Sequence, residues 1–362
     1  MDRYRKKHFR RSTKGTNTVI GAQRFLTARW PWVFCSAVFA LAVIVLASLA
    51  FGAVPTAFAD VFSFIAGASD PQHQMILREL RLPRALLALC VGGILASSGA
   101  MTQGLFRNPL ADPSLIGVTA GAAAGASVAI VLLDAYHWDV WGLSLVSLGA
   151  FVGGCLAVIF VYRIATGDTG TSVATMLLAG IAVTFLAGSV SSLLEFVADN
   201  DMLRRISLWR MGGLEAADDA RLIIIAAVVL GLIIWVPLQY AALNALLLGE
   251  SEARHLGVEV AKAKRNIVLM VAAGVGVSVA LAGTISFIGL VVPHMVRIVI
   301  GPNHRYVIPL SAILGGILLI VADAFARSVI APTELPVGLV TAFIGAPVFI
   351  SLLRQRHRYG MQ

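Results

Sequence analysis

The sequence predicts an all-helical membrane protein that crosses the bilayer about ten times. Apolar residues make up 58% of the 362 residues and charged residues only 13%, and the mean hydropathy is +0.86. A soluble domain carries about 25% charged residues, whereas this chain has enough apolar residues for about ten spans of ~20 residues. The apolar runs are unbroken, which excludes the alternating pattern of a membrane β-barrel.

The predicted spans lie in ten long apolar runs. They cover about residues 33–54, 85–105, 115–133, 142–162, 173–197, 221–240, 266–284, 286–300, 307–326 and 337–353. The eighth run is short and contains Pro293, so we expect a broken or partly re-entrant helix there. The first run is too long for the core of a cleaved signal peptide. We therefore interpret residues 1–30 as a basic, poorly ordered cytosolic arm and residues 31–362 as the transmembrane domain.

The distribution of lysine and arginine orients the chain. With the N-terminus inside and ten spans, most of the 28 Lys and Arg residues fall in cytosolic segments. Positive charge is concentrated on the cytosolic side of membrane proteins, so both termini are predicted to lie inside. The same distribution accounts for the net charge of +9, and we do not expect nucleic-acid binding.

Glycines recur at every fourth position in two neighbouring spans. The first set is Gly117, Gly121 and Gly125, and the second is Gly149 and Gly153. Small residues at this spacing let the backbones of two helices approach closely in lipid. We favour packing inside one compact bundle over a subunit interface.

The cytosolic segment 241–265 is long for a connection between spans. Its polar stretch is bounded by Gly249 and Gly257, a pattern that predicts two short amphipathic helices with glycines at their ends. A pair of surface helices suits docking to a soluble partner, and a solvated linker is the alternative.

Arginines on the outer side are unexpected, because positive charge is disfavoured there. Arg81 and Arg84 precede the second span, and Arg327 ends the ninth. A guanidinium can bind a carboxylate through two parallel hydrogen bonds, so these side chains suit capture of an acidic partner. Contact with lipid phosphate or pairing with Glu79 are the alternatives. Asp323 lies one helical turn before Arg327 and is expected to neutralise and orient it.

The sequence contains neither a P-loop motif nor a metalloprotease or hydrolase motif, and so predicts no ATPase activity on this chain. Ionisable residues deep in the spans, which a proton-coupled carrier usually needs, are scarce. A channel would need a polar filter that is not evident. Transport by this chain would therefore draw its energy from another subunit.

Four long stretches resemble the FecCD-type permease subunits of type II ABC importers, which take up haem, ferric siderophores and vitamin B12. The stretches are residues 80–125, 246–258, 283–305 and 322–353. The resemblance implies ten helices per subunit, a second copy of the chain, two cytosolic ABC ATPase subunits that bind ATP and Mg, and a periplasmic substrate-binding protein. It also implies a multi-pass protein of the bacterial inner membrane with no cofactor of its own.

The resemblance also assigns roles to individual residues. Docking of the binding protein is implied for Arg81, Arg84 and Arg327. Coupling to the ATPase is implied for Gly249, Glu250, Glu252, Ala253, Leu256 and Gly257. The substrate path is implied to follow the fifth and tenth spans, with Thr184, Gly188, Ser191, Thr341 and Gly345 as candidates.

The stretches 177–205 and 249–258 look most like haem permeases, so haem is the expected substrate. A ferric siderophore and vitamin B12 are the alternatives within the family. An ion-coupled secondary carrier is the alternative from a different class.

Overall fold

The computed structural model describes residues 27–52, 54, 56–133, 139–140, 143–168 and 170–358, and most of the predicted basic arm lies outside these ranges. Within them, seven helices are long and apolar enough to cross a membrane, and three shorter apolar helices accompany them. Together they coincide with the ten predicted spans. The predicted all-helical membrane class is confirmed.

The elements follow one another along the chain as helices joined by short connections. The helices are α1 Trp30–Ser48, α2 Phe58–Ile65, α3 Pro71–Met75, α4 Leu82–Leu105, α5 Val118–Leu132, α6 Leu145–Ala165, α7 Val173–Val197, α8 Asn200–Met211, α9 Asp219–Trp235, α10 Tyr240–Leu246, α11 Glu250–His255, α12 Val260–Ala282, α13 Ile288–Ile300, α14 His304–Ala326 and α15 Val337–Arg358. The strands are β1 Asp139–Val140, β2 Leu143–Ser144, β3 Thr166–Gly167 and β4 Gly170–Thr171, which form two antiparallel hairpins. A π-helical turn, Ile76–Arg81, joins α3 to α4, and 3₁₀ turns lie at Pro113–Ile116 and Val236–Gln239.

Helix α4 lies at the centre of the bundle. It packs along α14 and also against α12 and α13, while α5 and α6 form a second closely packed pair. Most of α4 and α12 is covered by other helices, whereas α1, α7 and α9 leave most of their apolar surface uncovered. Those uncovered faces are available to lipid or to another chain.

The recurring glycines pack α5 against α6 inside this chain. A Cβ atom at Gly121 would overlap the carbonyl of Gly153, and one at Gly125 would overlap the carbonyl of Gly149. The two backbones therefore approach more closely than any other residue would allow. Packing within one bundle, which the sequence favoured, is confirmed.

Helix α13 runs unbroken through Pro293, so the expectation of a broken helix is wrong. Proline removes the hydrogen bond that the carbonyl of Gly289 would otherwise accept. That carbonyl lies against Gly99 of α4, where a Cβ atom would overlap it, and a Cα–H donor can reach it in such a close approach. At about 1.5 Å per residue, the 13 residues of α13 span only about two thirds of a ~30 Å hydrocarbon core.

Helix α8 was not predicted. It begins after Asp199, whose side chain accepts a hydrogen bond from the backbone N–H of Met202 at 2.8 Å. It ends before Gly212, whose φ is +71°. An ion pair of 2.8 Å between Arg210 and Glu195 ties it to the end of α7. Its sequence is short and polar, so it lacks the long apolar run from which the spans were predicted.

Candidate functional site

The three outer arginines lie at the ends of α4 and α14, and their side chains are buried. The exposed fractions are 5% for Arg81, 8% for Arg84 and 4% for Arg327. These side chains are therefore not free on the outer surface of this chain, and their role in docking stays a prediction. Each guanidinium binds carboxylate or carbonyl oxygens of this chain. A buried charge without such partners would be very costly in free energy.

Asp323 forms the centre of this outer arginine cluster. It is 1% exposed, and its Oδ1 accepts a hydrogen bond from Nε of Arg84 at 2.8 Å. Nε of Arg327 lies 2.9 Å from Oδ2, although its N–H is not well aligned and the contact is an ion pair rather than a hydrogen bond. Glu334 accepts a further hydrogen bond from Arg84 at 2.6 Å. The role predicted for Asp323, to neutralise and orient Arg327, is confirmed.

The same cluster holds the segment that follows α1. Arg81 donates hydrogen bonds to the carbonyls of Leu49 at 2.6 Å and Val54 at 2.5 Å. Arg327 donates to the carbonyl of Phe51 at 3.1 Å. The sequence could not reveal these contacts, because main-chain acceptors carry no signal in residue type. The cluster therefore joins α1, α4 and α14 at their outer ends.

At the cytosolic end, α10 and α11 lie between α9 and α12, in the segment predicted to couple to the ATPase. Gly249 and Gly257 both have positive φ, 119° and 84°, which favours glycine at each end of α11. Ala253 is fully buried against the bundle, whereas Leu256 is 64% exposed and Glu252 is also exposed. Helix α11 thus presents one face to the bundle and the other to the cytosol.

Glu250 turns toward the bundle instead of the cytosol. Its Oε1 lies 2.5 Å from Nζ of Lys264 on α12. Lys264 is 2% exposed, and its Nζ also donates to the carbonyl of Thr171 at 2.6 Å. Of the predicted coupling residues, Ala253 is fully buried against the bundle, and Glu250 is bound to the bundle through Lys264 while its side chain stays 30% exposed.

A second polar network anchors α10. Oδ1 of Asn244 accepts hydrogen bonds from the backbone N–H and the Nδ1 of His304, at 2.9 and 2.8 Å. Nε2 of the same imidazole lies 3.0 Å from Arg297, which also donates to the carbonyl of Ala100 at 2.8 Å. These distances assign a neutral His304 with its proton on Nδ1. Sequence reasoning did not single out this network, because its members are scattered over four elements.

The five candidate path residues do not share one environment. Thr184 and Gly188 lie on the exposed face of α7. Ser191 and Thr341 are buried, at 5% and 3% exposure, and Gly345 packs against the ring and Cβ of a neighbouring phenylalanine. Thr184 and Gly188 face the outside of this subunit on α7, whereas Thr341 and Gly345 line a separate, strongly apolar cavity of about 420 Å³ between α13, α14 and α15.

The exposed face of α7 is otherwise strongly apolar. Phe185 is 74% exposed, Leu193 66% and Phe196 86%. A cavity of about 470 Å³ opens beside it, and its lining combines apolar residues such as Ile181 and Phe185 with polar ones, among them Thr119, Thr184, Ser286 and Arg210. Within the described part of the chain, no group of three or more His, Cys, Asp or Glu side chains could hold a metal ion.

Ten apolar helices define a multi-pass membrane protein, and the family to which the chain belongs shows that it is a transport subunit. The chain belongs to the FecCD transport family, whose profile matches residues 40–355. It is the non-catalytic membrane permease of an ABC transporter, and ATP is hydrolysed by a partner ATPase.

The chain is similar to the hemin transport system permease protein HmuU of Yersinia pestis. The two are 40% identical over 319 residues, which cover 88% of this chain and 94% of that protein. It is 43% identical over 290 residues to the cobalamin import system permease protein BtuC of Halobacterium salinarum, covering 78% of this chain and 74% of that protein. The vitamin B12 import system permease protein BtuC of Salmonella typhi is 39% identical over 285 residues, covering 79% and 85%.

The fold is also found in a solved ABC transporter in an inward-facing conformation. The TM-score is 0.78 and the sequences are 30% identical, with 90% of this chain and 99% of that chain covered. The resemblance to the FecCD permeases is thus confirmed by both sequence and fold.

Proposed function

We propose that this chain is the permease of an importer that carries haem into the cell, driven by ATP hydrolysis on two cytosolic partner subunits. The observation that carries the proposal is the match to the hemin permease. It extends over 88% of this chain and 94% of that protein, more of both than either cobalamin relative described above.

Vitamin B12 is the second candidate substrate, favoured by the 43% identity to the cobalamin permease of Halobacterium salinarum. Haem and cobalamin both carry a broad macrocycle around a metal ion. An apolar path with a few hydroxyl groups, such as the face around Thr184, accommodates either. A ferric siderophore is the third candidate.

A second copy of this chain is proposed to cover the exposed face of α7. A row of large apolar side chains lies on that face, beside a cavity whose lining includes several polar residues. Two such faces around a two-fold axis would enclose a path through the membrane, lined in part by Thr184 and Gly188. The proposal is motivated by this combination, since the polar groups of that cavity, which include Arg210, would be costly to leave against lipid alone.

The ATPase is proposed to bind the exposed side of α11. Leu256 offers an apolar contact of 64% exposure, and Leu248, at the other end of α11, offers another of 66%. Glu252 lies between them on the solvent side. Gly249 and Gly257 set the direction in which this helix projects, and Ala253 lets it lie close to the bundle.

The binding protein is proposed to dock on the outer face above the arginine cluster. Direct capture by Arg81 or Arg327 requires the partner's carboxylates to replace the backbone carbonyls that these side chains bind in this structure. An ionised carboxylate binds a guanidinium more strongly than a neutral carbonyl does, so this exchange is favoured where water or the partner supplies donors to the released carbonyls.

Reconstitution in vesicles tests the proposed substrate. The chain is reconstituted with its ATPase and its binding protein, and uptake of haem, vitamin B12 and a ferric siderophore is measured in parallel. ATP-dependent uptake of haem, well above that of the other two, supports the proposal. ATP-dependent uptake of vitamin B12 without haem contradicts it in favour of the second candidate.

A further inference from the structure

Three elements meet at the side chain of Lys264. The residue belongs to α12, its carboxylate partner Glu250 begins α11, and its carbonyl partner Thr171 ends the β3–β4 hairpin. Thr171 lies two residues before α7, the helix whose exposed face forms the proposed path. One ammonium group therefore connects the ATPase-facing helix with the start of the path helix.

The connection is short and shielded from water. The Nζ atom is 2.5 Å from Oε1 of Glu250 and 2.6 Å from the carbonyl oxygen of Thr171. Lys264 is 2% exposed, while the side chain of Glu250 is 30% exposed. An ion pair with a buried partner is screened far less by salt than a surface pair, and both acceptors hold the ammonium by charge-assisted hydrogen bonds.

The hairpin has little other support from α11. A cavity of about 690 Å³ separates them, with Tyr162 and Gly170 on one side and Arg254 on the other. Within the described part of the chain, the contacts of Lys264 are the only hydrogen bonds or ion pairs that connect α11 to the hairpin. A displacement of α11 is therefore passed to the hairpin through Lys264.

We propose that Lys264 is a positioning residue that makes α11, the β3–β4 hairpin and the start of α7 move as one unit when the ATPase moves. The proposal rests on the proposed role of α11 in binding the ATPase and deepens it. Glu250 then acts as the internal end of this link and not as a contact to the ATPase, which changes the role implied for it by the family resemblance.

Distances within the chain test the link directly. Spin labels are placed on α11 at Ser251, which is not among the proposed contacts of the ATPase, and on the hairpin at Asp168, both exposed, in the reconstituted complex of permease and ATPase. In the wild type, the distance between the labels should stay unchanged between the nucleotide-free and ATP-bound states. In Lys264→Met, which removes the ammonium group, the distance should change with nucleotide or its distribution should broaden.

The coupling ratio supplies the functional readout. Lys264→Met should lower the amount of substrate transported per ATP hydrolysed at least fivefold, while the assembled complex still hydrolyses ATP. Lys262→Met is the matched control, because Lys262 lies one half-turn away on α12 and its ion pair with Glu259, at 3.8 Å, is exposed. The control should keep the wild-type ratio.

If the Lys264→Met variant does not assemble with the ATPase, a second variant tests the same link. Glu250→Gln keeps a hydrogen-bond acceptor for Lys264 but removes the opposite charge, so it should give a smaller effect of the same kind on distance and ratio. The proposal is overturned if either assembled variant keeps both the wild-type distance and the wild-type ratio. It is also overturned if the wild-type distance itself changes with nucleotide. A failure of haem uptake would refute the proposed substrate but leave the distance measurement unaffected.

Discussion

Replacing Asp323 with Asn should destabilise the protein strongly, because this carboxylate neutralises two buried guanidinium groups. Asp323 is 1% exposed and lies within 2.9 Å of both Arg84 and Arg327. Asparagine offers one acceptor oxygen in place of two, and its NH₂ group would face the donors of the other arginine. The change therefore removes both a charge and an acceptor from a buried network.

The size of the effect follows from the contacts that remain. Removing one partner of a buried ion pair costs about 3–5 kcal/mol. Arg84 keeps its hydrogen bond to Glu334 at 2.6 Å, and Arg327 keeps its bond to the carbonyl of Phe51. We therefore expect the free energy of unfolding to fall by about 3 kcal/mol, near the lower end of that range.

Denaturant or thermal unfolding in one detergent and lipid mixture measures this loss. The matched control is Glu79→Gln, since Glu79 pairs with Arg78 at 3.7 Å on the exposed surface of the same outer region. Exposed pairs contribute about 0–1 kcal/mol, so the control should unfold almost like the wild type. If Asp323→Asn is as stable as the control, the cluster does not hold the outer ends of the helices together, and the reasoning is refuted.

Three further predictions address the proposed interfaces. Leu256→Asp should reduce capture of the ATPase at least tenfold in a pull-down, because it places a charge in the apolar contact of α11. Normal capture would show that the ATPase does not bind this face of α11. Phe185→Cys should form cross-links between two copies of the chain in native membranes, whereas Leu156→Cys should not, although Leu156 is also well exposed in the single chain, at 61% against 74% for Phe185. The reverse pattern would place the dimer interface elsewhere. Arg81→Ala should weaken binding of the substrate-binding protein at least tenfold while Arg78→Ala, whose side chain is 69% exposed, has less effect; equal effects would remove Arg81 from docking.

The class and the order of the helices could be predicted from the sequence, because long apolar runs are what a bilayer demands. The four-residue glycine spacing in α5 and α6 also predicted their contact, since only a missing side chain lets two backbones meet so closely. The prediction of a broken helix at Pro293 was wrong. The effect of this proline on the helix depends on whether a neighbour can meet the freed carbonyl, and that neighbour, Gly99, lies almost 200 residues away in the chain.

The candidate sites were predictable in position but not in orientation. The sequence located the outer arginines and the coupling segment, because positive charge outside and glycine-bounded polar helices are unusual. It could not show that Arg81 binds backbone carbonyls or that Glu250 turns inward. Both facts depend on partners that are distant in sequence, Leu49 in one case and Lys264 in the other. Burial of a charged side chain is decided by such partners and not by the residue itself.

The initial rate of ATP-dependent haem uptake into vesicles, measured with and without a large excess of vitamin B12, tests the central claim most directly. The vesicles contain this chain, its ATPase and its binding protein. We expect haem uptake that requires ATP and that is not reduced by the excess of vitamin B12. Haem uptake that proceeds without ATP, or vitamin B12 uptake that replaces it, would contradict the account.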